Sequence, residues 1–190
     1  MSRRLVLLHG WGASGDDLQP LADQLAADQG ADLETICLDA PELHPSMDGR
    51  QWYELFPANW SAVPAAAERL RIRLMDLGQA GTPLERTVIL GFSQGGAMAL
   101  ECGCALPVAG VISCSGYPHP NWAPSEEHPP VLLTHGREDQ VVPAFAIEEI
   151  RKQLNPRSCE THLMDCDHTI NSEMIEPIRR FIQRVVPSRL

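Results

Sequence analysis

The chain has 190 residues, 44% of them hydrophobic, and a formal net charge of −10 at neutral pH. That length predicts one domain over residues 1–190 with a substantial core. The acidic balance has no basic stripe to offset it and excludes nucleic acid or an anionic membrane as partner, while no apolar run is long enough for stable membrane insertion.

Met-Ser-Arg-Arg leads straight into an apolar, β-branched run, so no signal peptide is expected and the predicted location is cytoplasmic. Arg3 to His9 reads as a buried strand ending in His9-Gly10-Trp11-Gly12. Ser14 with Asp17 resembles a helix start, and Leu18, Leu21 and Leu25 follow at helical spacing. Leu33 to Asp39 is a second strand. The stretch to about residue 60, with Pro41, Pro45, Gly49 and Pro57, is expected to be irregular. Ser61 to Leu77 predicts a helix with Val63, Leu70, Leu74 and Leu77 on one side. A turn leads to a short strand, Thr87 to Leu90, and a helix from Gln94 to about Leu106. Val108 to Ser113 is a strand, and His119 to Pro130 reads as a surface loop that leaves His119 and His128 solvated. Val131 to His135 is the next strand, and Pro143 opens a helix carrying Phe145, Ile147, Ile150 and Leu154. Cys159 to Met164 is a last strand. Asn171 caps a final helix that Pro177 should kink or delay.

Strands alternate with helices, which predicts an α/β architecture: a mainly parallel sheet of about six strands, covered on both faces, with ligands at the carboxyl ends of the strands and no large lid. Six cysteines form no C-x-x-C pair and most lie in apolar surroundings, so they read as reduced thiols packed as small hydrophobes, without a metal.

The rest of the chain is organised around Thr87-Val-Ile-Leu-Gly-Phe-Ser-Gln-Gly-Gly-Ala-Met-Ala99. An apolar strand breaks at a glycine-rich turn and a helix follows, with Gly91 and Gly95 two residues either side of Ser93. A sharp strand-to-helix turn strains its central residue and crowds its neighbours, which only tiny side chains tolerate. The turn would present the Ser93 hydroxyl at a helix N-terminus, a nucleophile elbow in the strand–turn–helix context that the G-x-S-x-G pattern requires.

A serine hydroxyl needs a general base within hydrogen-bond reach and a carboxylate that orients the base. His168, in the loop after the last strand, stands where the base should be; His135 at a strand end reads as packed, and His162 lies inside a strand. Asp139 follows the Val131–His135 strand, with Glu138 as competitor. Asp165 and Asp167 sit too close to His168 in sequence and read as loop caps or solvated charges, and Asp39 precedes Ser93, the wrong order. The two backbone amides of an oxyanion hole map to Gln94, after the nucleophile, and to Trp11 in the glycine-bearing loop after the first strand, leaving His9 structural.

Leu8-His9-Gly10-Trp11-Gly12, Gly91-Phe92-Ser93-Gln94-Gly95-Gly96, His135-Gly136 followed by Asp139 and Val142-Pro143, and the late His168 occur in order over nearly the whole chain. Together they resemble the phospholipase/carboxylesterase family of α/β-hydrolases, which includes acyl-protein thioesterases. The resemblance implies a triad of Ser93, Asp139 and His168, oxyanion amides from Trp11 and Gln94, no metal or cofactor, and a tendency to form homodimers. It also marks departures: no N-terminal antiparallel edge strand ahead of Arg3, a short 40–60 region, and Asp165-Cys166-Asp167 where small, glycine-bearing residues would be usual.

Trp52, Tyr53, Phe56 and Trp60, with Trp11 and Trp122 beside them, are candidates to line an acyl pocket. The predicted activity is hydrolysis of short- to medium-chain acyl esters or thioesters, on a small molecule or an acylated protein, through an acyl-serine intermediate. The rival readings are a hydrolase of lactones or amides on the same fold, and a binding or scaffold protein without catalysis. A complete set of triad candidates weighs against the second.

Overall fold

The computed structural model describes residues 2–27 and 29–188. In chain order the elements are β1 (Arg3–Leu8), α1 (Gln19–Ala26), β2 (Leu33–Leu38), β3 (Glu42–Leu43), β4 (Arg50–Gln51), α2 (Val63–Gln79), β5 (Thr87–Phe92), α3 (Gln94–Gly103), β6 (Gly110–Cys114), β7 (Val131–Gly136), α4 (Ala146–Arg151), β8 (Cys159–Met164) and α5 (Ser172–Val185). Six strands form one parallel sheet in the order β2-β1-β5-β6-β7-β8, and β3 pairs with β4 in a separate small hairpin. The hairpin lies inside the stretch expected to be irregular.

The strands carry apolar side chains on both faces because both faces are covered. Leu5 and Leu7 of β1, Val88 and Leu90 of β5, and Leu132 of β7 pack with α1 and α5. Val6 and Leu8, Ile89, Val111, and Val131 and Leu133 point the other way, into a layer made by α2, α3 and α4. Period-two alternation in an all-apolar strand thus builds two cores from one sheet.

Local chemistry sets the helix ends. Ser14 donates to the Asp17 carboxylate through both its backbone N (2.7 Å) and its hydroxyl (2.9 Å), and a single 3-10 turn leads into α1. Asn171 caps α5 as predicted, its side chain accepting from the Met174 amide. Pro177 does not delay that helix, which begins at Ser172 and runs through it.

The chain leaves β1 toward β2 on one side and returns to β5 on the other. Loops from β1 and β5 therefore diverge at their carboxyl ends. This is the topological switch point where open α/β sheets bind ligands. His9-Gly10-Trp11 follows β1 there, and Ser93 follows β5.

Candidate active site

Ser93 sits between β5 and α3 with φ 55° and ψ −118°, a left-handed conformation that costs energy for any residue with a side chain. It persists because the surroundings fix it. The Ser93 amide donates to the Cys114 carbonyl (2.9 Å), and its own carbonyl accepts from the Ala97 amide (3.0 Å). The flanking glycines are steric requirements: a Cβ on Gly91 would lie 2.0 Å from the Gly95 carbonyl oxygen, and one on Gly95 would lie 2.1 Å from that of Leu8. The end of β1 is thereby pressed against the first turn of α3.

The Ser93 Oγ lies 3.0 Å from His168 Nε2, and His168 Nδ1 lies 2.7 Å from Asp139 Oδ2. An ionised carboxylate only accepts, so Nδ1 carries the proton and Nε2 is left to accept from the serine hydroxyl. The other Asp139 oxygen accepts from the backbone N–H groups of Val141 (2.9 Å) and Val142 (2.8 Å). Burial alone would raise the Asp139 pKa. The His168 hydrogen bond and these amides outweigh it, and the carboxyl is held below its usual range.

His135 sits behind Asp139, with its Nε2 2.7 Å from the Val142 carbonyl and 3.4 Å from Asp139 Oδ2. Burial lowers its pKa and keeps it neutral, the packed role expected of it. Gly136, next to it, has no room for a side chain: a Cβ would come 2.2 Å from the Asp167 carbonyl oxygen and 2.3 Å from that of Cys166. That close approach brings the His168 loop onto β7 beside Asp139. Glu138 is exposed and Asp165 pairs with Arg137 at 3.0 Å, so neither competes with Asp139.

The loop after β1 is stapled to the small hairpin. Gly12 donates to the Arg50 carbonyl (2.8 Å), Arg50 donates to that of Ala13 (2.8 Å), and the Trp11 indole N–H donates to Gln51 (3.0 Å). His9 is structural: its Nδ1 contacts the Gly10 carbonyl (2.7 Å), its Nε2 accepts from the Ala40 amide (2.9 Å), and burial lowers its pKa. A Cβ on Gly10 would lie at ordinary contact distance, 3.4 Å, from the Ser93 Cβ, which sets this loop directly beside the nucleophile.

A cavity of about 560 Å³ opens from Ser93 and His168. Trp11, Leu55, Phe56, Trp60, Tyr117 and Phe145 line it. Phe56 and Trp60 are therefore on the wall, as expected from the sequence, whereas Trp52, Tyr53 and Trp122 are not. Trp52 and Tyr53 are each only 1% exposed and belong to the core beneath. The Trp52 indole N–H donates to the His9 carbonyl (2.9 Å), and the Gln94 side chain bridges this pair, accepting from the Trp52 amide (3.0 Å) and donating to the Tyr53 carbonyl (2.8 Å).

The Tyr53 hydroxyl lies 2.7 Å from that of Tyr117 and 2.8 Å from His119 Nε2, and His119 Nδ1 lies 3.0 Å from Glu101. His119 and His128 are thus not solvated. They are 4% and 5% exposed, and His128 Nε2 accepts from the Asn155 amide (2.9 Å). Their partners lie far away in sequence, so a proline-rich composition suggested an open loop where the chain is tied down. The wall residues Leu55, Tyr117 and Phe145 had no local motif to reveal them. The six cysteines are free, and burial pushes Cys102, Cys104 and Cys114 up to about 12, which makes those thiols inert. Among the described residues no cluster of metal-ligating side chains occurs, and no helix is long and apolar enough to cross a membrane.

A parallel α/β sheet with a strained serine between a central strand and its helix defines the α/β-hydrolase class. The sequence profile of the Phospholipase/Carboxylesterase family matches residues 2–186, and the chain belongs to that family. Acyl-protein thioesterase 1 of Yarrowia lipolytica is 31% identical, over 73% of this chain and 70% of its own. That of Neurospora crassa is 28% identical, over 96% and 86%. The crystal structure of esterase PE8 superposes with a TM-score of 0.82 at 30% identity, covering 97% of this chain and 93% of the other. The protein is a hydrolase.

Proposed function

We propose that the protein hydrolyses carboxylic esters or thioesters carrying short- to medium-chain acyl groups, with Ser93 as nucleophile, His168 as general base and acid, and Asp139 as its orienting carboxylate. The observation that carries this reading is the continuous chain of hydrogen bonds from the strained Ser93 through His168 to Asp139, at 3.0 and 2.7 Å. Ser93 Oγ attacks the acyl carbon as His168 Nε2 takes its proton. The ionised Asp139 stabilises the imidazolium, and the Trp11 and Gln94 amides receive the developing oxyanion. His168 returns the proton to the leaving oxygen or sulfur. Water, deprotonated by the same histidine, then releases the acyl group from Ser93.

The acyl chain occupies the aromatic cavity, whose volume falls within the range of small-molecule sites. Phe56, Val141 and Phe145 are exposed at its mouth and extend the apolar surface outward. The leaving group comes from a small molecule or an acylated protein, the substrate named for the thioesterase relatives. Free cysteines fit a reducing compartment, the cytoplasm.

The test is hydrolysis of p-nitrophenyl esters from acetate to palmitate, together with labelling by a fluorophosphonate. The expected result is activity that peaks at one chain length, stoichiometric labelling, and loss of both in Ser93→Ala. Folded protein that neither labels nor turns over any ester overturns the reading, as does activity that survives in Ser93→Ala.

A further inference from the structure

One buried polar chain takes no part in the triad. It starts at Glu101 on α3, whose carboxylate lies 3.0 Å from His119 Nδ1. It continues from His119 Nε2 to the Tyr53 hydroxyl at 2.8 Å, and on to the Tyr117 hydroxyl at 2.7 Å. Tyr53 and His119 are buried, and Tyr117 is the member of the chain that lines the aromatic cavity. Trp60 packs over the inner links, its ring centroid 6.1 Å from that of Tyr53, 6.2 Å from that of Tyr117 and 6.3 Å from that of His119.

The chain has a direction. An ionised carboxylate only accepts, so His119 Nδ1 carries the ring proton and Nε2 accepts from the Tyr53 hydroxyl. Having donated to His119, Tyr53 meets Tyr117 as an acceptor. Burial pushes the Tyr117 pKa up to about 12 and raises that of Tyr53, so both phenols keep their protons. Three links thus consume three protons, and none is left to point into the cavity. Tyr117 offers the cavity lone pairs only.

Burial of Tyr53 does not require this last link, because His119 already satisfies its hydroxyl. Two other polar groups on the cavity wall are committed elsewhere: the Trp11 indole N–H donates to Gln51, and Glu149 pairs with Lys152 at 2.7 Å.

We propose that Tyr117 is a specificity-determining residue that selects acyl groups bearing a hydroxyl, which donates to its oxygen, and that Glu101 and His119 are positioning residues that fix the direction of the chain. The inference rests on the acyl-serine reading above. A plain alkyl chain leaves the Tyr117 oxygen stripped of water and short of a partner, which costs binding. A hydroxyl on the acyl chain replaces the lost water. An ether oxygen at the same place sets one acceptor against another.

p-Nitrophenyl hexanoates carrying a hydroxyl or a methoxy group at carbon 3 or carbon 6 test the proposal, since the hydroxyl has a proton to donate and the methoxy group has none. The kcat/KM ratio of hydroxyl to methoxy ester is read within one protein preparation, so partial misfolding of a variant cancels. In the wild type it should reach about tenfold at one of the two positions, and Tyr117→Phe should lower it by about the same factor. Glu101 lies outside the cavity lining. Glu101→Gln supplies an NH2 group that can donate to His119 Nδ1 and let the chain run the other way, so the ratio should fall by about threefold or more. A carboxylate with a purely structural role would not move it. A wild-type ratio at or below one at both positions overturns the proposal, as does an equal ratio in wild type and Tyr117→Phe, and an unchanged ratio in Glu101→Gln overturns the positioning role. Wild-type protein that turns over none of the esters and fails to label at Ser93 with a fluorophosphonate overturns the acyl-serine reading, which is a distinct failure.

Discussion

The two ends of the sheet are made by the same strands and handle charge in opposite ways. At the amino ends, β1 opens with two arginines in what otherwise reads as an apolar strand. Arg3 is fully buried, donates to the carbonyls of Gln29 and Val186, and pairs with Asp32 at 2.9 Å. Arg4 donates to the carbonyls of Leu77 (2.6 Å) and Thr82 (3.0 Å) and pairs with Glu34 at 2.9 Å. Leu77 and Val186 lie at the carboxyl ends of α2 and α5, where orphan carbonyls and the helix dipole favour a cation. At the carboxyl ends the protein instead keeps a strained serine, a buried carboxylate and neutral histidines close together. One end locks helices onto the sheet with satisfied cations. The other holds groups in states that a substrate can exploit.

Breaking each end in turn should separate catalysis from stability. The largest effect is expected from Asp139→Asn, which keeps the shape of the side chain but loses the charge that orients His168. Its kcat on a p-nitrophenyl ester should fall by about 10⁴-fold. Retention of more than a tenth of the activity would contradict the assigned role. Arg3→Met should leave turnover per folded molecule unchanged while costing about 2 kcal/mol in urea unfolding, since buried carbonyls lose their donor. Activity loss without a shift in the unfolding midpoint would reverse that assignment.

Acid sharpens the contrast with a smaller effect. His9 and His135 have folded pKa values lowered by burial, so below about 6.5 the unfolded chain binds more protons than the native one. Stability is therefore full above that value and falls as the pH drops through it. The Asp139 carboxyl, held low, adds a further loss only as the pH falls below the ordinary carboxylate range, and Asp32, lowered chiefly by its hydrogen bond to Arg3, does the same. The window between pH 7 and 5 thus belongs to the carboxyl end. A urea midpoint that stays flat across it would refute this account. The smallest change is expected from Trp60→Ala, which opens one wall of the aromatic cavity. The preferred chain should lengthen, with activity on the original optimum lowered by about threefold; an unchanged profile would remove Trp60 from the pocket.

The parts of this architecture that could be read from the sequence are those whose chemistry is local. Apolar runs marked the four inner strands, and the glycines around Ser93 marked the turn. His168 stood out because the base must sit after the last strand and late in chain order, whereas the resemblance to the family separated Asp139 from its neighbour Glu138. The unreadable parts depend on distant partners. Nothing near His119 shows that Tyr53 and Glu101 will enclose it, and nothing near Arg3 shows that the end of α5 will supply its acceptor. Trp52 and Tyr53 were misplaced for the same reason. An aromatic residue in an irregular stretch can face a cavity or plug the floor beneath one, and here the Gln94 side chain decides.

That glutamine also says how this pocket can change over generations. Its amide grips the backbone of residues 52 and 53 and is indifferent to their side chains. The Trp52 and Tyr53 side chains add anchors of their own, one to the His9 carbonyl and the other to Tyr117 and His119. The stretch beyond them, which carries Phe56 and Trp60, is the part whose sequence is free to drift, exchanging one lining for another. New specificities can be grafted onto an unaltered triad by swapping that stretch and leaving residues 52 and 53 in place.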